Sequence, residues 1–216
     1  MKDNEKRIYY PLLVDISNYK CLVVGGGYVA LRKVKNLIEF DADISIISPD
    51  LCFELENLVM ARKIPYLRRV YAPGDALPYN LVFVATNDPA LAPIVKTDCD
   101  MTGALLNIAE RPELSNIIIP ATIKEQILTI SVATSGDAPF LTRKIREIIT
   151  RNLPANIGDI SYLAGEFRQK VLNDIRFDTQ EKKDDMYNKF MFEDWQSIID
   201  EKGFEGAFLK MAELLK

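Results

Sequence analysis

Val23-Val24-Gly25-Gly26-Gly27-Tyr28-Val29-Ala30 follows an apolar run at residues 19–24 and opens a helix-like stretch at residues 29–40. A strand that ends in closely spaced glycines and turns at once into a helix leaves backbone N–H groups facing open space, where a pyrophosphate can sit. The spacing is G-x-G-x-x-A. Gly25 suits the tight turn, Gly27 the close approach of phosphates, and Ala30 the small residue where helix meets strand. Tyr28 and Val29, at the helix start, complete the cofactor-binding candidates of this loop. The same glycines could serve only as a turn joining strand to helix, but the strand before them and the helix after them favour a dinucleotide.

Residues 42–48 alternate in polarity and are rich in β-branched side chains, as a second strand should be, and they end in Ser48-Pro49-Asp50. In a Rossmann unit the end of that strand meets the adenosine ribose, and an acid about 20 residues beyond the glycines binds its 2′-hydroxyl. Asp50 comes slightly late and follows a proline, so Ser48 and the backbone at Pro49 share the candidacy. Asp50 could equally cap a helix starting near Leu51. No arginine stands at the strand end to receive a 2′-phosphate, which favours NAD over NADP.

Composition narrows the class. The 216 residues suffice for one good-sized domain and a smaller one, and 48% hydrophobic content is ordinary for a globular protein. A net charge of −4 argues against a nucleic-acid binder. Cys21, Cys52 and Cys99 are odd in number and far apart, with no C-x-x-C pair, so reduced thiols in a cytoplasm are expected rather than a disulfide framework. No membrane span and no signal peptide are expected, since no apolar stretch reaches about 18 residues and the start is charged. Histidine is absent altogether, which excludes a histidine-based metal site or catalytic triad and leaves chemistry to carboxylates, hydroxyls, amines or a cofactor. No metal is expected.

Further along, residues 51–62 read as a helix and 64–70 as a short strand. Residues 79–86 form a nearly continuous apolar run, the mark of a parallel strand buried on both faces. It stops at Thr86-Asn87-Asp88-Pro89, at the edge where such sheets bind ligands; Thr86 and Asn87 are therefore cofactor candidates, with helix capping by Asn87 or Asp88 as the plainer role. A helix at 90–101 leads to a strand at 104–109, and Glu110 follows at its carboxyl end as a candidate acid or base. Strands alternating with helices imply a doubly wound, Rossmann-like parallel sheet. Beyond Pro112 the pattern changes: residues 116–123 and 128–134 look like a hairpin turning at Lys124-Glu125-Gln126. Pro139 then opens a helix to Asn152, whose start, with Arg143, Lys144 and Arg146 nearby, can attract anions. Residues 157–173, 179–199 and 204–215 carry helix-spaced apolar side chains, with Gly203 dividing the last two.

Taken in order, Tyr10-Pro11-Leu12-Leu13-Val14-Asp15, the glycine loop continued by Leu31-Arg32-Lys33-Val34, Val84-Ala85-Thr86-Asn87-Asp88, and Thr134-Ser135-Gly136-Asp137-Ala138-Pro139 with Arg143-Lys144-Ile145-Arg146-Glu147 resemble precorrin-2 dehydrogenases. These include the dehydrogenase/ferrochelatase part of sirohaem synthases. The resemblance implies NAD-dependent oxidation of precorrin-2 to sirohydrochlorin, on the route to sirohaem or cobalamin. It also implies a homodimer interlocked through the segment after the Rossmann domain. The domains expected are thus an NAD-binding Rossmann domain at 1–115, a small α+β dimerisation segment at 116–152 and a helical domain at 153–216. Thr134, Ser135, Arg143 and Arg146 are the substrate-binding candidates, basic groups being suited to a polycarboxylate tetrapyrrole.

The chain departs from the family twice. The family's catalytic aspartate closes an Asn-x-x-Asp motif that here reads Asn107-Ile108-Ala109-Glu110, which keeps a carboxylate but lengthens it by one methylene. Leu91-Ala92 also stand where an asparagine is common. Two alternatives are a bifunctional dehydrogenase and ferrochelatase, which the missing histidine and Glu110 weaken, and a nucleotide- or tetrapyrrole-binding module without catalysis. Methylation is expected to fall to another protein.

Overall fold

The computed structural model describes residues 7–216. It divides into two compact units, meeting in sequence at Ile119 and Pro120. The first contains a five-stranded sheet in the order β3-β2-β1-β4-β5, with β1 at Lys20–Val24, β2 at Asp43–Ile47, β3 at Tyr66–Leu67, β4 at Leu81–Val84 and β5 at Leu105–Ile108. Every pairing is parallel, and Val24 stands level with Ile47 on one side and Val84 on the other. A parallel sheet must be covered on both faces, and its central strands therefore carry few polar residues. Alternate side chains supply two separate cores. Leu22, Val24, Val82, Val84 and Leu106 pack with Val95 and Cys99 of α3 (Leu91–Thr102), whereas Cys21, Val23, Ile46 and Phe83 pack with Val34 of α1 (Tyr28–Ile38) and Leu55 of α2 (Phe53–Arg62). The Rossmann-like fold expected from the alternation is the one observed.

The expected strand at residues 116–123 begins only at Ala121. Asn116 explains the delay. Its side-chain oxygen accepts from the Leu106 N–H at 2.6 Å and its amide donates to the Ala104 carbonyl at 2.9 Å, while the Asn116 and Ile117 N–H groups donate to the Leu106 carbonyl at 3.0 and 3.3 Å and the Ser115 hydroxyl accepts from the Ile108 N–H at 2.8 Å, so an irregular segment occupies the open edge of β5 in place of a strand. Asn116→Ala should therefore cost about 2 kcal/mol in denaturant unfolding, because it leaves the Leu106 N–H and the Ala104 carbonyl with no other partner among the described residues; a loss within about 0.5 kcal/mol would show that water replaces the amide.

The second unit holds an antiparallel hairpin, β6 (Ala121–Glu125) and β7 (Leu128–Val132), and four helices. The hairpin turns at Gln126 and Ile127, where residues 124–126 were expected, so Lys124 and Glu125 belong to the strand; Gln126 takes a left-handed conformation with φ 51°. Helix α4 spans Pro139–Asn152, with Pro139 in the first turn, and α5 spans Ile157–Asn173. The single helix expected over 179–199 is broken into α6 (Gln180–Phe192) and the start of α7 (Trp195–Leu214). Asp194 makes the break by capping α7: its carboxylate accepts from the Ser197 N–H and hydroxyl at 3.2 and 2.8 Å. Trp195 then stacks on Phe190 at 4.5 Å and donates its indole N–H to the Phe190 carbonyl. Gly203 interrupts α7 with φ 68°. Leu163, Phe167 and Val171, on one stripe of α5, form the core of this bundle with Met186, Phe190 and Met211.

Candidate dinucleotide site

The carboxyl ends of β1, β2, β4 and β5 lie along one edge of the first unit, and the candidate residues of that unit gather there. Of the three glycines, two are required by the protein itself. Gly25 has φ 123°, and a Cβ on it would lie 2.2 Å from the Ala85 carbonyl oxygen. A Cβ on Gly26 would lie 1.9 Å from the Asp50 carbonyl oxygen and 2.7 Å from Ser48 Oγ. Backbone bonds lock the same corner: the Gly25 N–H donates to the Ile47 carbonyl at 2.9 Å and the Cys52 N–H donates to the Gly26 carbonyl at 2.7 Å.

Gly27 differs. A Cβ there would meet nothing within 4 Å. It is the N-cap of α1 but has no side chain to offer, and the first turn of the helix carries no acidic residue. The first N–H groups of a helix have no intrahelical acceptor, so those of Tyr28 and Val29 remain for an outside anion, aided by the positive end of the helix. Tyr28 is exposed and its hydroxyl reaches Glu54 at 3.5 Å. This arrangement fits a pyrophosphate.

At the end of β2, Ser48 is buried and its hydroxyl donates to the Asp50 carbonyl at 2.7 Å, which shapes the turn at Pro49. Asp50 is not the expected cap of α2, whose N-cap is Cys52 without a side-chain bond. Its carboxylate is exposed and pairs with Arg68 at 3.1 Å, while Arg68 Nε donates to the Pro49 carbonyl at 3.2 Å. An arginine thus does stand at the end of β2, contrary to the reading from the sequence. It arrives from the end of β3, and only the parallel pairing of Tyr66 and Leu67 with Ile46 and Ile47 brings it there.

Thr86 and Asn87 follow β4. Thr86 Oγ1 accepts from the Asp88 N–H at 3.3 Å, Asp88 turns back on the Ala90 N–H at 2.9 Å, and Asn87 is exposed. Neither Asn87 nor Asp88 caps α3, whose N-cap is Ala90. Glu110 follows β5, exposed and without a hydrogen bond or ion pair to another described residue. Behind it, Asn107 accepts from Lys33 Nζ at 2.9 Å, and Lys33 lies 5.0 Å from the centre of the Phe83 ring. Burial, and then the charge of Arg32, pulls the Lys33 ammonium down to about 8. An unfolded lysine titrates near 10.4, so the unfolded chain holds more protons between the two values and stability should rise with pH across that window. Titration of the Lys33 amine by NMR should show a midpoint near pH 8; a midpoint near that of the other lysines would contradict the burial argument.

Thr134, Ser135, Arg143 and Arg146 belong to the second unit. Thr134 Oγ1 accepts from the Ala138 N–H at 3.0 Å, and Ser135 and Gly136 take left-handed conformations with φ 53° and 89° just before α4. Arg143 and Arg146 are exposed and one turn apart on α4. Arg146 lines an open cleft of about 350 Å³ with Thr122, Lys124, Thr150 and Arg151, and Arg143 does not. Among the described residues there is no group of three or more potential metal ligands and no helix long and apolar enough to cross a membrane.

A parallel doubly wound sheet with an uncapped glycine-loop helix at its carboxyl edge defines a dinucleotide-binding protein of Rossmann type. The chain belongs to the family described as "Putative NAD(P)-binding", whose model matches residues 12–121. It is 34% identical over 163 residues to a sirohaem synthase of Saccharophagus degradans, covering 76% of this chain and 36% of that protein. It is 32% identical over 207 residues to a sirohaem synthase of Stutzerimonas stutzeri, covering 96% of this chain and 43% of the relative. The chain thus spans about two fifths of the length of these relatives. Among solved structures, the precorrin-2 dehydrogenase SirC shares its fold, with a TM-score of 0.76 and 23% identity over 95% of this chain and 100% of that one.

Proposed function

We propose that this chain oxidises precorrin-2 to sirohydrochlorin with NAD as the hydride acceptor. The observation that carries the proposal is the pairing, on one sheet edge, of an open glycine-loop helix start with the carboxylate of Glu110, which has no partner among the described residues. Likeness to sirohaem synthases and to the fold of a precorrin-2 dehydrogenase supports the choice of substrate. In this reading the N–H groups of Tyr28 and Val29 hold the pyrophosphate and Asp50 binds the ribose 2′-hydroxyl. Ser48, Pro49, Thr86 and Asn87 shape the rest of the cofactor groove. The cofactor, when bound, supplies the hydride acceptor.

The oxidation removes a hydride and a proton from the substrate. Glu110 accepts the proton: it is exposed beyond the end of β5, has no partner among the described residues, and is open to substrate. Thr134, Ser135, Arg143 and Arg146 bind carboxylates of the tetrapyrrole, and the hairpin and α4 are the surface through which two copies associate. Mixed with precorrin-2 and NAD⁺, the chain should generate NADH; tight binding of both without any reduced cofactor would instead establish a non-catalytic module. Sedimentation should give twice the mass of the chain, and a monomer at micromolar concentration would remove the dimer from the proposal.

A further inference from the structure

The adenosine end of the proposed groove holds a feature that an NAD-only site does not need. Asp50 and Arg68 leave the ends of two neighbouring strands, β2 and β3, and meet at 3.1 Å with side chains 81% and 75% exposed. Arg68 is tethered rather than loose. Its Nε is committed to the Pro49 carbonyl, and the Tyr66 hydroxyl, on the same strand, donates to the Ser48 carbonyl at 2.9 Å. The second guanidinium nitrogen, Nη1, has no partner among the described residues, and the exposed face of the group is open to solvent.

A carboxylate at this position excludes NADP from many Rossmann sites, because it repels the 2′-phosphate that replaces the hydroxyl it would bind. Here the paired guanidinium offsets that repulsion and offers N–H donors to the phosphate, which arginine recognises better than any other side chain. Arg69, next in the chain, cannot play this part, since both its terminal nitrogens bind Asp75 at 2.6 and 2.8 Å. Glu56, whose charge is felt at the Tyr66 hydroxyl together with that of Asp50, is the opposing neighbour.

We infer that Asp50 and Arg68 form a two-way subsite that takes either a ribose 2′-hydroxyl or a 2′-phosphate, so that this chain accepts NADP as well as NAD. The inference rests on the glycine-loop reading of the cofactor site. Calorimetric titration of the full chain with NAD⁺ and NADP⁺ tests it. The two nucleotides should bind within about tenfold of each other. Arg68→Ala should lower the ratio of NADP⁺ to NAD⁺ affinity about tenfold or more, the worth of one hydrogen-bonded contact to a charged group, and Asp50→Asn should raise it. NADP⁺ affinity should also fall more steeply with added salt. Wild-type binding of NAD⁺ with NADP⁺ more than about 100-fold weaker would overturn the inference and leave the cofactor site intact. A ratio unchanged in Arg68→Ala would overturn it as well, whereas failure of both nucleotides to bind would bring down the site itself.

Discussion

Glu110→Gln lowers the rate of precorrin-2 oxidation about 100-fold or more while NAD⁺ affinity stays within about threefold, the span expected for loss of a positioned general base. Glutamine keeps the size and hydrogen-bonding reach of the side chain and removes only its ability to take a proton. Because Glu110 is exposed and pairs with no described residue, the substitution should shift unfolding stability by no more than about 0.5 kcal/mol. The kinetic loss is then free of any folding defect. Glu110→Asp, which restores the shorter carboxylate of the family motif, should retain activity. Equal loss of turnover and of NAD⁺ binding in Glu110→Gln would show that the residue organises the groove and takes no proton.

The glycine loop offers the second large effect, and it separates two roles within three residues. Gly25→Ala places a side chain at φ 123° and 2.2 Å from the Ala85 carbonyl, so both backbone strain and steric overlap oppose it. The cost should be about 3 kcal/mol or more in denaturant unfolding, a large share of a typical domain's stability. Gly27→Asp does the reverse. Its side chain enters open space, so the unfolding midpoint should hold, but its charge occupies the anion position at the start of α1 and should weaken either dinucleotide about 100-fold. Unchanged binding in Gly27→Asp, measured by calorimetry, would remove the pyrophosphate from this loop.

Much of this architecture is legible in the chain because the determinants are local. Glycines that follow an apolar run, the polar-free strand at Leu81–Val84, and the helix over Ile157–Asn173 each carry their own periodicity. What escapes is set by distant partners. Arg68 lies 18 positions beyond Asp50, and nothing in their spacing announces that two short parallel strands will bring them together. Gly26 looks like filler between the motif glycines, yet its missing side chain is what lets the Asp50 backbone approach the loop. Asn116 sits in an apolar run that reads as a strand, and its amide instead serves as the edge partner of β5. The break before Trp195 was present as Asp194 and Ser197, a capping pair hidden inside an otherwise helical pattern.

The most direct measurement follows NADH and sirohydrochlorin together after the chain is mixed with precorrin-2 and excess NAD⁺. Both should accumulate at the same rate and in equal amounts, and Gly27→Asp should produce neither. Sirohydrochlorin formed at the protein-free rate without NADH, while the nucleotide remains bound, would contradict the proposal that this chain is the dehydrogenase.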